Sequence, residues 1–193
     1  MAKNYLFTIL ALTISLIFSA CDTNTLVIPN PNEEELPNEE ELITTLNYTL
    51  VPANGNPTIL TFIDLDGDGG TTPTIIGGTL AANQTYTGTM KLLNETITPL
   101  EIVTEEVEEE DEDHQFFFQS NISSLVINYS DQDADGNPLG INSTLITGAA
   151  ASGTLRIILR HELDKFAPGV LGGDLTNAGG ETDIEVTFPI DIQ

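Results

Sequence analysis

The chain is poor in cysteine, tryptophan and basic residues. Its 193 residues include one cysteine, no tryptophan and only five lysines and arginines, against 30 aspartates and glutamates, for a net charge of −25. One thiol excludes an internal disulfide and a cysteine-rich metal site, so stability must come from the core. So few cations exclude nucleic acid as a partner, because this surface repels phosphate.

The one cysteine, Cys21, ends a segment that is typical of a lipoprotein signal peptide. The apolar run Leu6–Phe18 is shorter than the ~20 residues of a membrane span, and the small pair Ser19 and Ala20 directly precedes the cysteine. We predict that residues 1–20 are removed and that Cys21 carries lipid, which anchors the protein in a membrane. A plain secretory signal or a core thiol is the alternative.

This anchor predicts an outer-membrane lipoprotein of the cell envelope, facing either the periplasm or the cell surface. Residues 21–41 hold the lipidated cysteine, several prolines and the glutamate runs 33–35 and 39–41, a composition that predicts a disordered acidic tether. The remaining residues, 42–193, are enough for a single domain with one core.

From Leu42 onward, apolar and polar residues alternate as they do in half-buried strands. In the last strand, Thr182, Ile184, Val186, Phe188, Ile190 and Ile192 share the inward face, and Glu181, Asp183, Glu185 and Asp191 the outward face. In residues 154–161, Leu155, Ile157, Leu159 and His161 point inward, and Arg156 and Arg160 point outward toward acids of a neighbouring strand. Further strands are predicted near 43–51, 58–65, 84–93, 115–119, 122–129 and 141–147.

One segment predicts a helix. Thr98-Pro99-Leu100-Glu101 has the form of a capping box with proline at the first helical position, and Ile97 with Ile102 would form a hydrophobic staple. We therefore expect a helix over residues 99–110.

An internal repeat suggests how the strands are arranged. Asn47-Tyr48 with the turn at 53–57 aligns with Asn128-Tyr129 and the turn at 134–138, which predicts a hairpin in both places. The fold class is therefore mainly β, an antiparallel sandwich or flattened barrel of about eight strands. The repeat also allows two similar four-stranded units; coincidence among Asn/Gly turns is the alternative.

Three stretches resemble small cell-envelope lipoproteins of Bacteroidota, which often carry the name "type 1 periplasmic binding fold" proteins. They are residues 64–69, the acid run that leads into 114–118, and residues 178–186. The resemblance covers about 42–192 and implies an envelope lipoprotein, without an activity or site residues.

Two loops resemble the start of a calcium loop, in which alternate carboxylates converge on a hard cation. They contain Asp64, Asp66 and Asp68, and Asp131, Asp133 and Asp135, but Ile75 and Asn142 stand where the bidentate glutamate should be. A plain Asp/Gly turn is the alternative. Because strand direction alternates, the second loop should lie near His161 and Glu162, and Glu162 would then complete a Ca²⁺ site.

The two histidines are candidates for a transition-metal site. His114 and His161 each stand at a strand end, near Glu112, Asp113 or Glu162. Zinc, copper or iron would suit imidazole ligands, whereas rim histidines bonded to backbone carbonyls are the plainer interpretation.

The sequence favours a non-enzymatic protein, because it contains no nucleophile elbow, phosphate loop or zinc-hydrolase helix. We expect a lipid-anchored binding or accessory protein, with an outer-membrane transporter or a cell-surface ligand as partner. A metal-capturing lipoprotein is the second hypothesis, and a hydrolase the third.

Overall fold

Ten strands and one α-helix make up the described part of this computed structural model, residues 41–67 and 70–193. The elements are β1 (Thr45–Pro52), β2 (Thr58–Ile63), β3 (Thr74–Ile76), β4 (Gly78–Leu80), β5 (Thr85–Leu93), α1 (Val103–Glu109), β6 (His114–Ser120), β7 (Leu125–Tyr129), β8 (Asn142–Thr147), β9 (Ala151–His161) and β10 (Glu181–Ile192). Two short 3₁₀ helices, Val170–Gly172 and Leu175–Asn177, lie between β9 and β10. The predicted signal peptide, Cys21 and residues 22–40 lie outside the described residues.

The strands form two sheets, as the alternation predicted. The first has the order β3-β2-β1-β5-β8-β7, and the second β4-β10-β9-β6. All neighbouring strands run antiparallel except β10 and β4, which are parallel. One apolar core joins the inner faces, with Tyr48 and Leu60 from the first sheet and Phe116, Leu155 and Phe188 from the second. Within the described residues the sheets stay separate, so the fold is a sandwich.

Both predicted hairpins are present, but the sheets are not two equal units. Thr49 pairs with Ile59 across the first hairpin, and Asn128 with Thr144 across the second. The strands that follow them differ, because β5 pairs with β1 inside the same sheet, whereas β9 pairs with β6 and β10 in the other sheet. The strands therefore divide six and four, and two similar four-stranded units are not formed.

The helix begins later than predicted. Asn94 and Glu101 form an antiparallel bridge, so Glu101 is extended and cannot serve as the third residue of a helix capped by Thr98. The cap position is occupied by Ile102, which makes no side-chain capping bond, and Ile97 is 48 % exposed, so no staple forms. Helix α1 therefore spans Val103–Glu109, and Val103 and Val107 pack into the core.

A β-bulge near the start of β10 corrects the predicted exposure of Asp183. Thr182 pairs with Arg160 and Ile184 with Leu159, so Asp183 has no partner of its own on β9. A bulge re-aims the extra residue, and the Asp183 side chain is 0 % exposed instead of facing water. No helix in the described part of the chain is long and apolar enough to cross a membrane.

Candidate metal centre

The two histidines lie opposite each other on neighbouring strands. His114 begins β6, His161 ends β9, and the two residues are direct cross-strand partners. Both are buried, and their rings stack with centroids 4.7 Å apart and planes 12° from parallel. Parallel rings on one face of the sheet present their nitrogen edges to the same neighbour, which is Asp183.

Asp183 brings a buried carboxylate to both rings. Its Oδ2 lies 3.4 Å from Nε2 of His114, and its Oδ1 lies 3.8 Å from Nδ1 of His161. Among the described residues, neither carboxylate oxygen has a hydrogen-bond partner. Gly180 allows β10 to start so close to β9: its φ is 63°, and a Cβ there would lie 2.1 Å from the carbonyl oxygen of His161. A buried carboxylate without donors is costly unless a cation balances it.

Glu110, at the C-cap of α1, contacts the other ring nitrogen of His114 through its backbone carbonyl. Nδ1 of His114 lies 3.1 Å from the Glu110 carbonyl oxygen, which can only accept, so Nδ1 is the donor. In the neutral ring, Nε2 therefore has a lone pair that faces Asp183. Within the described part of the chain, neither this nitrogen nor the buried Oε2 of Glu110 has a hydrogen-bond partner. One ligand atom each of Glu110, His114 and His161 lie within 4.8 Å of one another.

These four residues, Glu110, His114, His161 and Asp183, are called the buried cluster below. Burial opposes protonation of His114, but the nearby Asp183 carboxylate and Glu110 carbonyl outweigh it and raise the pKa of the imidazole above its ordinary value. The cluster therefore favours a positive charge, either a proton or a metal ion. Tetrahedral zinc with bonds of 2.0–2.1 Å separates its ligand atoms by about 3.3 Å, close to the 3.4 Å between His114 and Asp183 and shorter than the 3.8 Å between His161 and Asp183.

The carboxylates of the second predicted calcium loop have other partners. Asp131 accepts hydrogen bonds from the backbone of Gly140 and Asn142, at 2.7 and 2.6 Å. Asp133 accepts from backbone N–H groups of Asp135 and Asn137 and pairs with Lys165, whose Nζ lies 2.7 Å from Oδ2. Asp135 is exposed. The loop thus lies beside Lys165, in the segment that follows β9, and the lysine ammonium is the cation that Asp133 contacts.

The other acids predicted near the histidines are placed differently. Glu162 follows His161 with φ of 50°, in the left-handed region, and its side chain is exposed. Glu112 and Asp113 line a surface depression together with Asp133 and Lys165. The carboxylates that do reach the rings belong to Glu110 and Asp183.

The first predicted calcium loop is partly described. Oδ1 of Asp64 accepts from the backbone of Gly67 at 3.0 Å, and Oδ2 of Asp66 accepts from the backbone and hydroxyl of Thr71. Asp68 lies outside the described residues. Asp64 and Asp66 are both among the residues of a cleft that reaches Asp183.

Sequence reasoning missed two members of the buried cluster. The sequence could have indicated Glu110, because Glu110 and His114 are four residues apart at the end of a helix. The burial of Asp183 could not be predicted from the sequence, because Glu181, Asp183 and Glu185 fit an outward-facing alternation. Only the pairing of β10 with β9 reveals the bulge.

Comparisons with known proteins give no family. No protein-family model matches the chain, and no curated protein matches it. Among solved structures, the chain is similar to the "crystal structure of the S-layer protein SbsC domains 4 and 5", at 15 % identity and TM-score 0.30, over 75 % of each chain. Function is therefore argued from the buried cluster itself.

Proposed function

We propose that this protein captures one transition-metal ion of the zinc class in the buried cluster. The observation that carries the proposal is Asp183, whose side chain is 0 % exposed and has a histidine nitrogen near each oxygen. No described residue donates a hydrogen bond to either of these oxygens. A divalent ion among these groups would balance the carboxylate and use the lone pair on Nε2 of His114.

The donor types support a borderline metal. Two imidazoles and two carboxylates suit Zn²⁺, whereas Ca²⁺ takes six to eight oxygen ligands and does not favour nitrogen. The Glu110 carbonyl already fixes the His114 ring through Nδ1, an arrangement that metal-binding histidines commonly have. The ligand set thus favours Zn²⁺, with Co²⁺ as its spectroscopic substitute.

The number of ligands supports capture rather than catalysis. Catalytic zinc sites keep one position open for water or substrate. Glu110, His114 and His161 bring one ligand atom each within 4.8 Å of one another, and Asp183 beside both rings would supply the fourth ligand that closes a tetrahedral shell. His114 is 0 % and His161 2 % exposed, the Asp183 side chain is 0 % exposed, and Oε2 of the partly buried Glu110 is also shielded from solvent. Combined with the anchor predicted at Cys21, this gives a metal-capturing lipoprotein of the cell envelope.

The test is metal retention by the purified full-length chain in detergent. After loading with Zn²⁺ and dialysis, native mass spectrometry should find one ion per chain, and Co²⁺ should give the intense visible bands of a tetrahedral site. Asp183→Asn and His161→Gln should each weaken binding at least tenfold, whereas Asp191→Asn, at the far end of β10, should not. A wild-type chain that retains no ion, or folded variants that bind as tightly, would overturn the proposal.

A further inference from the structure

A cleft of about 570 Å³ lies beside the bulge of β10. Its walls come from residues 41–44 before β1, residues 64–67 after β2 and residues 182–185 of β10, together with Phe62 and Thr96. The loop that resembled a calcium site therefore faces the strand that supplies Asp183.

Asp183 belongs both to the wall of the cleft and to the buried cluster. The β9–β10 ladder is interrupted at this residue, because Asp183 is the extra residue of the bulge. Its carboxylate points away from solvent toward the histidines. The bulge therefore lies between the cleft and the buried cluster.

The cleft has charge of one sign. Its lining includes Glu41, Asp64, Asp66, Asp183 and Glu185 and, among the described residues, no lysine or arginine. Glu185 is neutralised by Arg156, whose Nε lies 2.7 Å from its carboxylate. Hydrogen bonds from the side chain and backbone of Thr71 lower the pKa of Asp66, so this carboxylate stays charged at neutral pH. A concave surface of one sign concentrates counterions and raises association rates by 10–10³.

We infer that this cleft is the entry route of the metal ion, and that Asp64 and Asp66 are steering residues at its rim. The inference rests on the proposed function, since it needs an ion that binds at the buried cluster. The role of Asp64 and Asp66 is kinetic: they raise the local concentration of divalent cations beside Asp183 and are not ligands of the bound ion.

The test is the rate of Co²⁺ uptake by the full-length chain in detergent, followed by stopped-flow absorbance. The variant Asp64→Asn/Asp66→Asn removes two charges from the rim. Asp135→Asn/Asp191→Asn is the control, because it removes two charges outside the cleft and so makes the same change in net charge. The rim variant should take up Co²⁺ at least fivefold more slowly than the control, with a weaker dependence on salt, while stoichiometry and the final spectrum stay unchanged.

The outcomes separate the two claims. If the wild-type chain takes up no Co²⁺, both the proposed function and the proposed entry route are wrong. If the wild-type chain binds Co²⁺ and the rim variant binds it as fast as the control, the site stands and the route is wrong. A changed final spectrum in the rim variant would also overturn the inference, because it would make Asp64 or Asp66 a ligand.

Discussion

Asp133 and Lys165 form an ion pair that is closed to solvent. Nζ of Lys165 lies 2.7 Å from Oδ2 of Asp133, and the side chains are 3 % and 0 % exposed. Nζ also donates to the carbonyl of Asp111 at 2.6 Å. One lysine thus joins the long connection between β9 and β10 to the turn before β8 and to the segment after α1. That connection covers Phe117 and Ile158 with Leu163, Val170 and Ala178.

Lys165→Met should destabilise the domain strongly. It leaves the Asp133 carboxylate buried without its cation, which typically costs about 3–5 kcal/mol. Urea unfolding at pH 7 measures the loss, and Lys91→Met on the exposed face of β5 is the matched control, with an effect expected within about 0.5 kcal/mol. Equal urea midpoints of unfolding for the two variants would contradict a stabilising role for the ion pair of Asp133 and Lys165.

The same pair should make the fold sensitive to acid. Burial opposes ionisation of Asp133, but hydrogen bonds from Lys165 and Asn137 outweigh it and lower its pKa below the ordinary value. Because the pKa of Asp133 is lower in the folded chain than in the unfolded chain, its ionisation stabilises the fold. This stabilisation is present above the unfolded-state pKa, near 3.9, and is lost as pH falls through the folded-state pKa. The difference in free energy of unfolding between wild type and Asp133→Asn should therefore narrow below about pH 4, as measured by urea titrations at a series of pH values.

Ile184→Asp should unfold the domain, because Ile184 is 7 % exposed and an aspartate there would be a buried unpaired charge. Thr187→Asp, on the exposed side of the same strand, introduces the same residue beside Arg156 and should change stability by less than about 1 kcal/mol. Circular dichroism and thermal melting distinguish the two, and a folded Ile184→Asp protein would contradict the placement of this face.

Local pattern was enough for the long strands but not for the pairings between them. Thr182 to Ile192 alternates so regularly that its inward face follows from sequence, and Val186 and Phe188 are indeed buried. The exception, Asp183, depends on how β10 aligns with β9, which no residue of β10 encodes alone. Strands β3 and β4 have three residues each, too few to show a period.

The sequence identified the two histidines of the candidate site, but it did not predict how they are arranged in space. The sequence placed His114 and His161 at strand ends, but their direct pairing arises from the register of β6 on β9. Lys165 shows the same limit, because a lysine in a loop near Pro168 looks exposed until Asp133 is brought beside it from another strand pair. Contacts between residues distant in sequence decided both outcomes.

Cys21→Ser tests the anchor. Since Cys21 is the one cysteine of the chain, its replacement removes every thiol that could carry lipid. The variant should no longer incorporate labelled palmitate and should move from the membrane fraction to the soluble fraction. Membrane-bound, labelled protein after this substitution would contradict the predicted lipid anchor at Cys21.

Glu106 should make the fold less stable as pH rises through neutrality. Burial, followed by the neighbouring carboxylates of Glu41 and Glu101, raises the pKa of Glu106 to about 8. Between its ordinary value near 4.5 and about 8, the folded chain holds a proton that the unfolded chain has released, so the free energy of unfolding falls with pH over this window. Below about pH 4.5 both states are protonated and the penalty vanishes.

Glu106→Gln removes this penalty and should therefore stabilise the domain most near pH 8 and least near pH 4.5. Because the side chain is only partly buried, solvent screens the repulsion, and we expect a gain of about 1 kcal/mol at pH 8. Urea unfolding at pH 4.5, 6 and 8 measures it. Glu105→Gln on the exposed side of α1 is the control, since it makes the same chemical change outside the carboxylate group. If the two variants show the same dependence on pH, Glu106 does not hold the proton.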